Sequence, residues 1–439
     1  MIEHIKSVIL FILVAMSLVL TVAIWNYQPQ YEPLSQMDYL EETQLDGVQL
    51  PLRALIEPQQ IVFHNYQEKK ELSSPSERHD FYEQMMEWDF ASVDPYLSTR
   101  RSMWQRSVEV IYPADIPLDL ITQLFNIERM DTNYDQTFDR IIFQLSQANN
   151  DIRVTFASSK HDHVLNGLIQ SSVAYEQIEE KINDPNLTPV SPYAKNDFFI
   201  YLPIDGFEVE SHTLLTDSVD LLPLRNVLFK NPSLVRLTPT SGISNEEYYT
   251  DGTRALVTKR VFQNERVMEY VNPLTSEIET MSTEDVIRRS VNFTNDHYGW
   301  TDEYLLDEVF AQTNTVKFRM YYGGYPIFEN NDATDITQTW TNNELYEMTR
   351  PLFQTSTQFH NEQQEEVLQS GSSVIQFLES QSDNIMLNGI ENIRVGYQLE
   401  MVSDISNVLL LKPEWHIKYF GEWRPLSYFT SMLIDRGED

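Results

Sequence analysis

Apolar residues fill positions 8–25 almost without interruption, VILFILVAMSLVLTVAIW, and no later apolar run approaches that length. As a helix the segment covers roughly 27 Å, close to the ~30 Å hydrocarbon core of a bilayer. A cleavable signal has a shorter apolar core, then a small-x-small site. The best match, Thr21-Val22-Ala23, lies inside the run. The pattern therefore predicts one uncleaved transmembrane helix. Lys6 precedes it, and the first charges after it are Glu32, Asp38, Glu41, Glu42 and Asp46, with no base until Arg53. The positive-inside rule puts the N-terminus in the cytoplasm and the bulk outside, with Lys6, Trp25 and Tyr27 as interfacial anchors. Ser17 and Thr21 share a helix face, which Leu10, Val14 and Ile24 extend. Small hydroxyl residues let a second helix approach closely, so this face is the candidate partner contact. The competing reading is that each hydroxyl bonds only its own backbone.

Residues 26–46 carry Gln28-Pro29, Glu32-Pro33 and several acids with little period, and read as a tether. Beyond them strand and helix patterns alternate. PLRALIEPQQIVFHN is strand-like and broken by Pro58. PSERHDFYEQMMEWDF is helical, with Ser76 as N-cap and Phe81, Met85 and Trp88 on one face. SVEVIYP alternates like a strand, and PLDLITQLFNI is a short amphipathic helix. RIIFQLSQANNDIRVTFAS is a hairpin around Asn149-Asn150-Asp151. VAYEQIEEKI is a helix, and DPNLTPVSPYAKND is a proline-spaced loop that closes a first domain. FFIYLPI, ALVTKRVF and RVMEYVNP read as strands, then STEDVIRRSVNF as a helix capped by Ser282 with Asp285. VKFRMYYGGYPIF gives strands around Gly323-Gly324. SSVIQFLES is the last helix, and IRVGYQLEM and NVLLLKPEWHIKYFGEWRPLSYF are strands.

These patterns divide the chain into a cytoplasmic tail (1–7), the spanning helix (8–25), the tether (26–46) and an N-terminal extracytoplasmic domain (47–195). A middle α+β domain (196–300) and a C-terminal α+β domain (301–439) follow. In the later part of the chain a helix precedes strands with an aromatic glycine hairpin twice, MYYGGYPIF and KYFGEWRPL, which points to a duplicated fold. The expected class is α+β: one transmembrane helix, then antiparallel sheets with packed helices.

Charge narrows the partners. The chain carries 66 Asp and Glu against 31 Lys and Arg, a net charge of −35. Such a surface repels phosphate backbones, so no nucleic-acid partner is expected. There is no cysteine, which removes disulfides, thiolate metal sites, a cysteine nucleophile and a lipidated cysteine anchor.

Catalytic and metal signatures are sparse. No phosphate-binding glycine loop, G-x-S-x-G elbow or H-E-x-x-H occurs. Asp131-Thr132-Asn133-Tyr134-Asp135 opens like a calcium loop, but Gln136 stands where the turn needs glycine and Ile142 where the ion needs glutamate. His161-Asp162-His163 could offer two imidazoles, with no third ligand assignable. Glu246-Glu247 and Glu365-Glu366 sit in no acid–base signature. Trp415 and Trp423 fit core packing or an interface. No catalytic residue, cofactor or metal is therefore assigned.

The boundary IWNYQP, the segment PLRALIEPQQIVFHN and the C-terminal GYQLEM and LLKPEWHIKYFGEWRPL together resemble YycH proteins, end to end. That resemblance implies a single-pass regulator in low-GC Gram-positive bacteria. It implies a three-domain extracytoplasmic part whose later domains are similar to each other and to the companion protein YycI. It also implies a partner, the WalK sensor histidine kinase of the WalK–WalR system, which the regulator restrains or otherwise tunes in the control of cell-wall metabolism. Association would run through the membrane helices of this chain, YycI and the kinase. Two other readings stay open: an envelope module that binds wall fragments or a peptide with the helix as mere tether, and a hydrolase using paired carboxylates. The oligomeric state, a homodimer included, is left open.

Overall fold

The computed structural model describes residues 13, 16, 17 and 43–434, except 95–97, 100–104, 128–135, 196–197, 240–245, 263–264, 274–278, 330–332, 342–343, 359–363 and 402–406. Met1–Glu42 and Thr43–Asp439 are separate units, and the second contains two β-sheets with their helices. The predicted spanning segment lies outside the described residues apart from Leu13, Met16 and Ser17, which are helical and exposed. No helix among the described residues is long and apolar enough to cross a membrane.

The first sheet holds β1 (Gln60–Asn65), β2 (Glu68–Glu71), β3 (Ser92–Val93), β4 (Ser98–Thr99), β5 (Arg106–Pro117), β6 (Thr137–Ser146), β7 (Asp151–Ala157), β8 (His163–Ile169), β9 (Thr188–Lys195) and β10 (Phe198–Pro203). Its order is β10-β9-β2-β1-β5-β6-β7-β8-β3, with β4 also on β8. Alternation sorts its side chains to two faces. Phe63, Val108, Val110, Ile141 and Phe143 join a core with Phe81, Tyr82 and Met85 of helix α1 (Pro75–Met86) and Ile178 of helix α2 (Ser172–Ile182). The neighbours in sequence point the other way. Val62 and Ile111 pack with Val190 and Tyr201, and Ile142, Ala157 and Val164 with Phe198, under the β9–β10 hairpin.

Two local readings are corrected. The α1 cap is Ser74, whose hydroxyl accepts from the Glu77 amide, not Ser76. Pro75 explains it: with no N–H and a preset φ, proline suits the first helical position. The proline-spaced segment read as a loop is strand β9. It pairs with β2 through only Pro189 and Thr188, so most of that edge is free of ladder bonds and prolines are tolerated there. The asparagine turn between β6 and β7 is as expected, with Asn150 at φ 52°.

The hairpin-covered face carries a buried ionic cluster. Glu109 accepts from Arg140 Nη1 at 2.5 Å and from the Tyr201 hydroxyl at 2.8 Å, and lies 3.0 Å from His64 Nε2. Arg140 also donates to the Phe199 carbonyl at 3.1 Å and lies over the Phe198 ring. Burial pushes the Glu109 carboxyl up, but the His64 hydrogen bond and the Arg140 charge outweigh it and hold it at about 2.

The second sheet runs β11 (Phe207–Ser218), β12 (Arg236–Pro239), β13 (Glu247–Thr250), β14 (Ala255–Phe262), β15 (Glu265–Val271), β16 (Glu303–Phe310), β17 (Thr315–Tyr322), β18 (Tyr325–Phe328), β19 (Ile336–Trp340), β20 (Leu345–Pro351), β21 (Phe353–Gln358), β22 (Gln364–Leu368), β23 (Ile390–Met401), β24 (Val408–Tyr419) and β25 (Glu422–Pro425). Its order is β12-β13-β14-β15-β20-β19-β17-β18-β23-β24-β11-β21, with β16 on β17, β22 on β11 and β25 on β24. Helices α3 (Leu221–Leu228), α4 (Thr283–Asp296), α5 (Gly371–Ser380) and α6 (Leu426–Ile434) accompany it. Ser282 caps α4 by accepting from the Asp285 amide at 3.1 Å. The tail SYF, read as strand, belongs to α6.

Within this sheet α4-β16-β17-β18 and α5-β23-β24-β25 run in the same order, each helix followed by a hairpin and a tight turn into a third strand. Both turns have two residues at positive φ, Gly323 and Gly324 (56° and 74°) and Phe420 and Gly421 (49° and 82°), the signature of a type I′ hairpin. The two series meet at β18 and β23, the one parallel ladder among the described strands. The described architecture is thus α+β.

Removing Glu109 would take the nearest counter-charge from the buried Arg140 guanidinium under the hairpin. Glu109→Ala is expected to lower unfolding free energy by about 3–5 kcal/mol, read by urea denaturation at pH 7. The carboxylate's contribution holds above its unfolded value near 4.5 and fades as pH falls toward 2, so the gap between variant and wild type narrows across that window.

Candidate functional site

The two sheets meet along a cleft of about 610 Å³, within the range typical of ligand sites. Its first wall comes from β1, β2, β5, β6 and β10, and its second from β16, β23, β24 and β25. Two hydrogen bonds cross between the walls. Asn392 Nδ2 donates to Gln59 Oε1 at 3.1 Å, and Arg78 Nη2 donates to the Gly324 carbonyl at 3.0 Å. Gly324 also has no room for a side chain, since a Cβ there would lie 2.5 Å from Pro75. The turn between β17 and β18 is therefore seated on the start of α1.

A β-bulge shapes the second wall. Pairing of β16 with β17 slips between Leu306 and Glu308, leaving Asp307 as the extra residue. Bulges re-aim side chains, and in this one Asp307 is buried between two guanidiniums. Arg319 Nε donates to it at 2.7 Å and Arg394 Nη2 at 2.6 Å. Burial opposes the charge, but the two arginines hold this carboxyl well below the usual range. Arg319 Nη1 also lies 3.3 Å from Asp335. Phe328 packs under both arginines, and Trp423 under Arg394 at 4.3 Å. His416 stacks on Phe328 at 4.1 Å, and burial with the two arginine charges depresses its imidazole to about 3. Beside them Lys418 Nζ bonds Glu308 at 2.6 Å.

The first wall is polar in a different way. Glu71 is buried and accepts from Gln60, whose amide also reaches the Tyr201 carbonyl at 2.9 Å. Burial pushes Glu71 up to about 7, against the pull of Gln60 and Arg78. Asp139 accepts from the Ser159 amide at 2.7 Å and is likewise raised by burial. Lys160 pairs with Asp115. Asp307, Glu308 and Asp115 are thus already ion-paired, an arrangement that fixes the walls more than it offers a free acid and base.

Of the candidate site residues singled out in the sequence, Trp415 and Trp423 line this cleft and the other described ones do not. Of the partner-contact face only Ser17 is described, on a helical, exposed position; Leu10, Val14, Thr21 and Ile24, and the anchors Lys6, Trp25 and Tyr27, lie outside the described residues. So do Asp131, Asn133 and Asp135. His163 opens β8 opposite Thr99, and no group of three metal-ligating side chains occurs among the described residues. Glu247 bonds Tyr249 and Arg266, and Glu365-Glu366 sit on β22, none of them lining the cleft. Trp415 is core, its indole bonded to the Gln369 carbonyl at 2.9 Å. The ionic clusters went unread, although each left a trace: one or two charges within an otherwise apolar strand, as in SVEVIY, DRIIF, YLLDEVF and KFRMYY.

Models of two protein domains match this chain: the YycH protein's C-terminal domain over residues 195–432 and its N-terminal domain over residues 3–186. The chain is 21% identical over 449 aligned positions to the two-component system WalR/WalK regulatory protein YycH of Bacillus subtilis (strain 168), covering 97% of this chain and 96% of that protein. Its fold is similar to the crystal structure of YycH from Bacillus subtilis, with a TM-score of 0.68 and 19% identity over 87% of this chain and 99% of that one.

Glu71 makes the cleft pH-sensitive. Its folded value near 7 exceeds the ordinary 4.5, so its contribution is complete below about pH 4.5 and is lost as pH rises through 7. Glu71→Gln removes that dependence. Relative to wild type, the variant is expected to gain about 3 kcal/mol of stability between pH 4 and pH 8, read by urea denaturation at both ends. A constant difference would mean that Glu71 titrates normally.

Proposed function

The chain belongs to the YycH family, and from that premise we propose that it is a non-enzymatic, membrane-anchored regulator of the WalK sensor histidine kinase. The end-to-end match to a protein named as a WalR/WalK regulator carries the reading. The N-terminus lies in the cytoplasm, residues 8–25 span the membrane, and the two sheets stand outside. Regulation is negative and works by helix packing with the kinase and YycI. A signalling kinase has two arrangements of its spanning helices, and a helix that packs better on one of them shifts the population by its differential affinity. A bias of ~1.4 kcal/mol changes the ratio about tenfold.

A second reading has one observation in its favour, the cleft of about 610 Å³ between the sheets. On that reading the outer part binds a wall-derived fragment or a peptide, and the helix is only a tether. Within either reading we take the two helix-hairpin-strand series of the second sheet as a duplicated, YycI-like unit.

Ser17→Leu with Thr21→Leu is expected to cut co-purification with WalK about tenfold from detergent-solubilised membranes. Unchanged recovery would remove that face from the proposal. Exchange of residues 8–25 for an unrelated spanning helix separates the readings: loss of kinase control supports helix packing, and retained control supports the binding module.

A further inference from the structure

The described chain from Thr43 onward does not enter the first sheet directly. Thr43–Leu50 runs first along the second sheet's half, at the corner between α4 and β16. The Leu45 amide donates to the His297 carbonyl at 2.8 Å and the Val48 amide to the Trp300 carbonyl at 3.0 Å. Asn295, near the end of α4, closes the strap. Its Oδ1 accepts from the Leu50 amide at 2.9 Å and from the Trp300 indole at 2.8 Å, and its Nδ2 donates to the Leu50 carbonyl at 2.8 Å. Gln49 Nε2 adds a bond to the Asn295 carbonyl at 3.0 Å. Leu45 is buried. Gly47 passes so close that a Cβ would stand 2.4 Å from the Tyr298 carbonyl and 2.5 Å from that of Trp300.

We propose that this strap is a clasp that couples the anchor to the second half of the outer part: closed, it makes the α4–β16 corner the point from which the tether leaves. The proposal rests on the regulator reading above. Its partners stand some 245 residues away in the chain, so the clasp can close only on a folded second half. Linkage makes the dependence mutual. Whatever shifts the α4–β16 corner shifts the clasp, and whatever loads the tether acts on that corner. An open clasp transfers the tether to the first sheet and frees about six residues, roughly 20 Å of extra reach.

The test uses the full-length chain in lipid vesicles with the WalK kinase of the same host. Gly47→Val removes the space the strap needs, and Asn295→Ala removes its closing bonds should the first variant fold poorly. Each is expected to speed hydrogen exchange of the 44–50 amides at least tenfold while exchange in β5 and β17 stays as in wild type, and to abolish the effect on kinase autophosphorylation. An insertion of ten glycine and serine residues between Pro51 and Leu52 leaves the clasp closed and is expected to keep regulation. Fast exchange with regulation intact overturns the coupling, and so does unchanged exchange in both variants. Loss of regulation by the insertion as well as by Gly47→Val also overturns it. A wild-type chain with no effect on the kinase overturns the regulator reading itself, while the exchange results still report whether the clasp exists.

Discussion

Asp307 between Arg319 and Arg394 is the contact on which the second sheet's organisation turns. The carboxylate belongs to the bulge of β16, Arg319 to β17 and Arg394 to β23. One buried negative charge therefore ties the first helix-hairpin-strand series to the second across the β18–β23 ladder. The geometry leaves little freedom. Phe328 fills the space beneath both guanidiniums, and Gly396 must lack a side chain because a Cβ would lie 2.5 Å from that ring. Taking such charges out of water is costly, and the attraction offsets the cost only with good geometry and further hydrogen bonds.

The first sheet solves its own covering problem in the same way. Its outer face holds Glu109, His64 and Arg140, and the β9–β10 hairpin supplies Tyr201 and the Phe199 carbonyl to complete their bonding. In a chain of net charge −35, with only 31 lysines and arginines, several of the scarce cations are thus spent inside. They give each half a polar lock that a merely greasy seam would not. The cleft between the halves has ion pairs on its second wall, and on its first wall the Lys160–Asp115 pair beside Glu71 and Asp139, carboxyls whose ionisation burial disfavours.

Under the proposed regulator reading, the corner-held strap bears on how the two sheets would act on a kinase partner. The strap joins a segment near the start of the chain to the middle of it. Residues 45–50 are thus held by the half built from the two similar series, not by the sheet that follows them in sequence.

Much of the local structure was legible in the residues. The α4 cap at Ser282, the asparagine turn between β6 and β7 and the double-glycine turn after β17 are short-range chemistry, decided within a few positions. The same chemistry misled where neighbours mattered: Pro75 moved the α1 cap to Ser74, and a nearly free edge let β9 carry two prolines. Strand β11 went unread because its register answers to distant partners, β24 and β21, and β16 because its bulge at Asp307 breaks the alternation. The sequence by itself determined the one long apolar segment, the acidity, the α+β alternation and the family likeness, since each is a sum or a pattern along the chain. The ionic clusters, the cleft and the strap were decided only by tertiary structure. A charge in an apolar strand becomes a lock only when folding brings its counterion, tens or hundreds of residues distant, within about 3 Å.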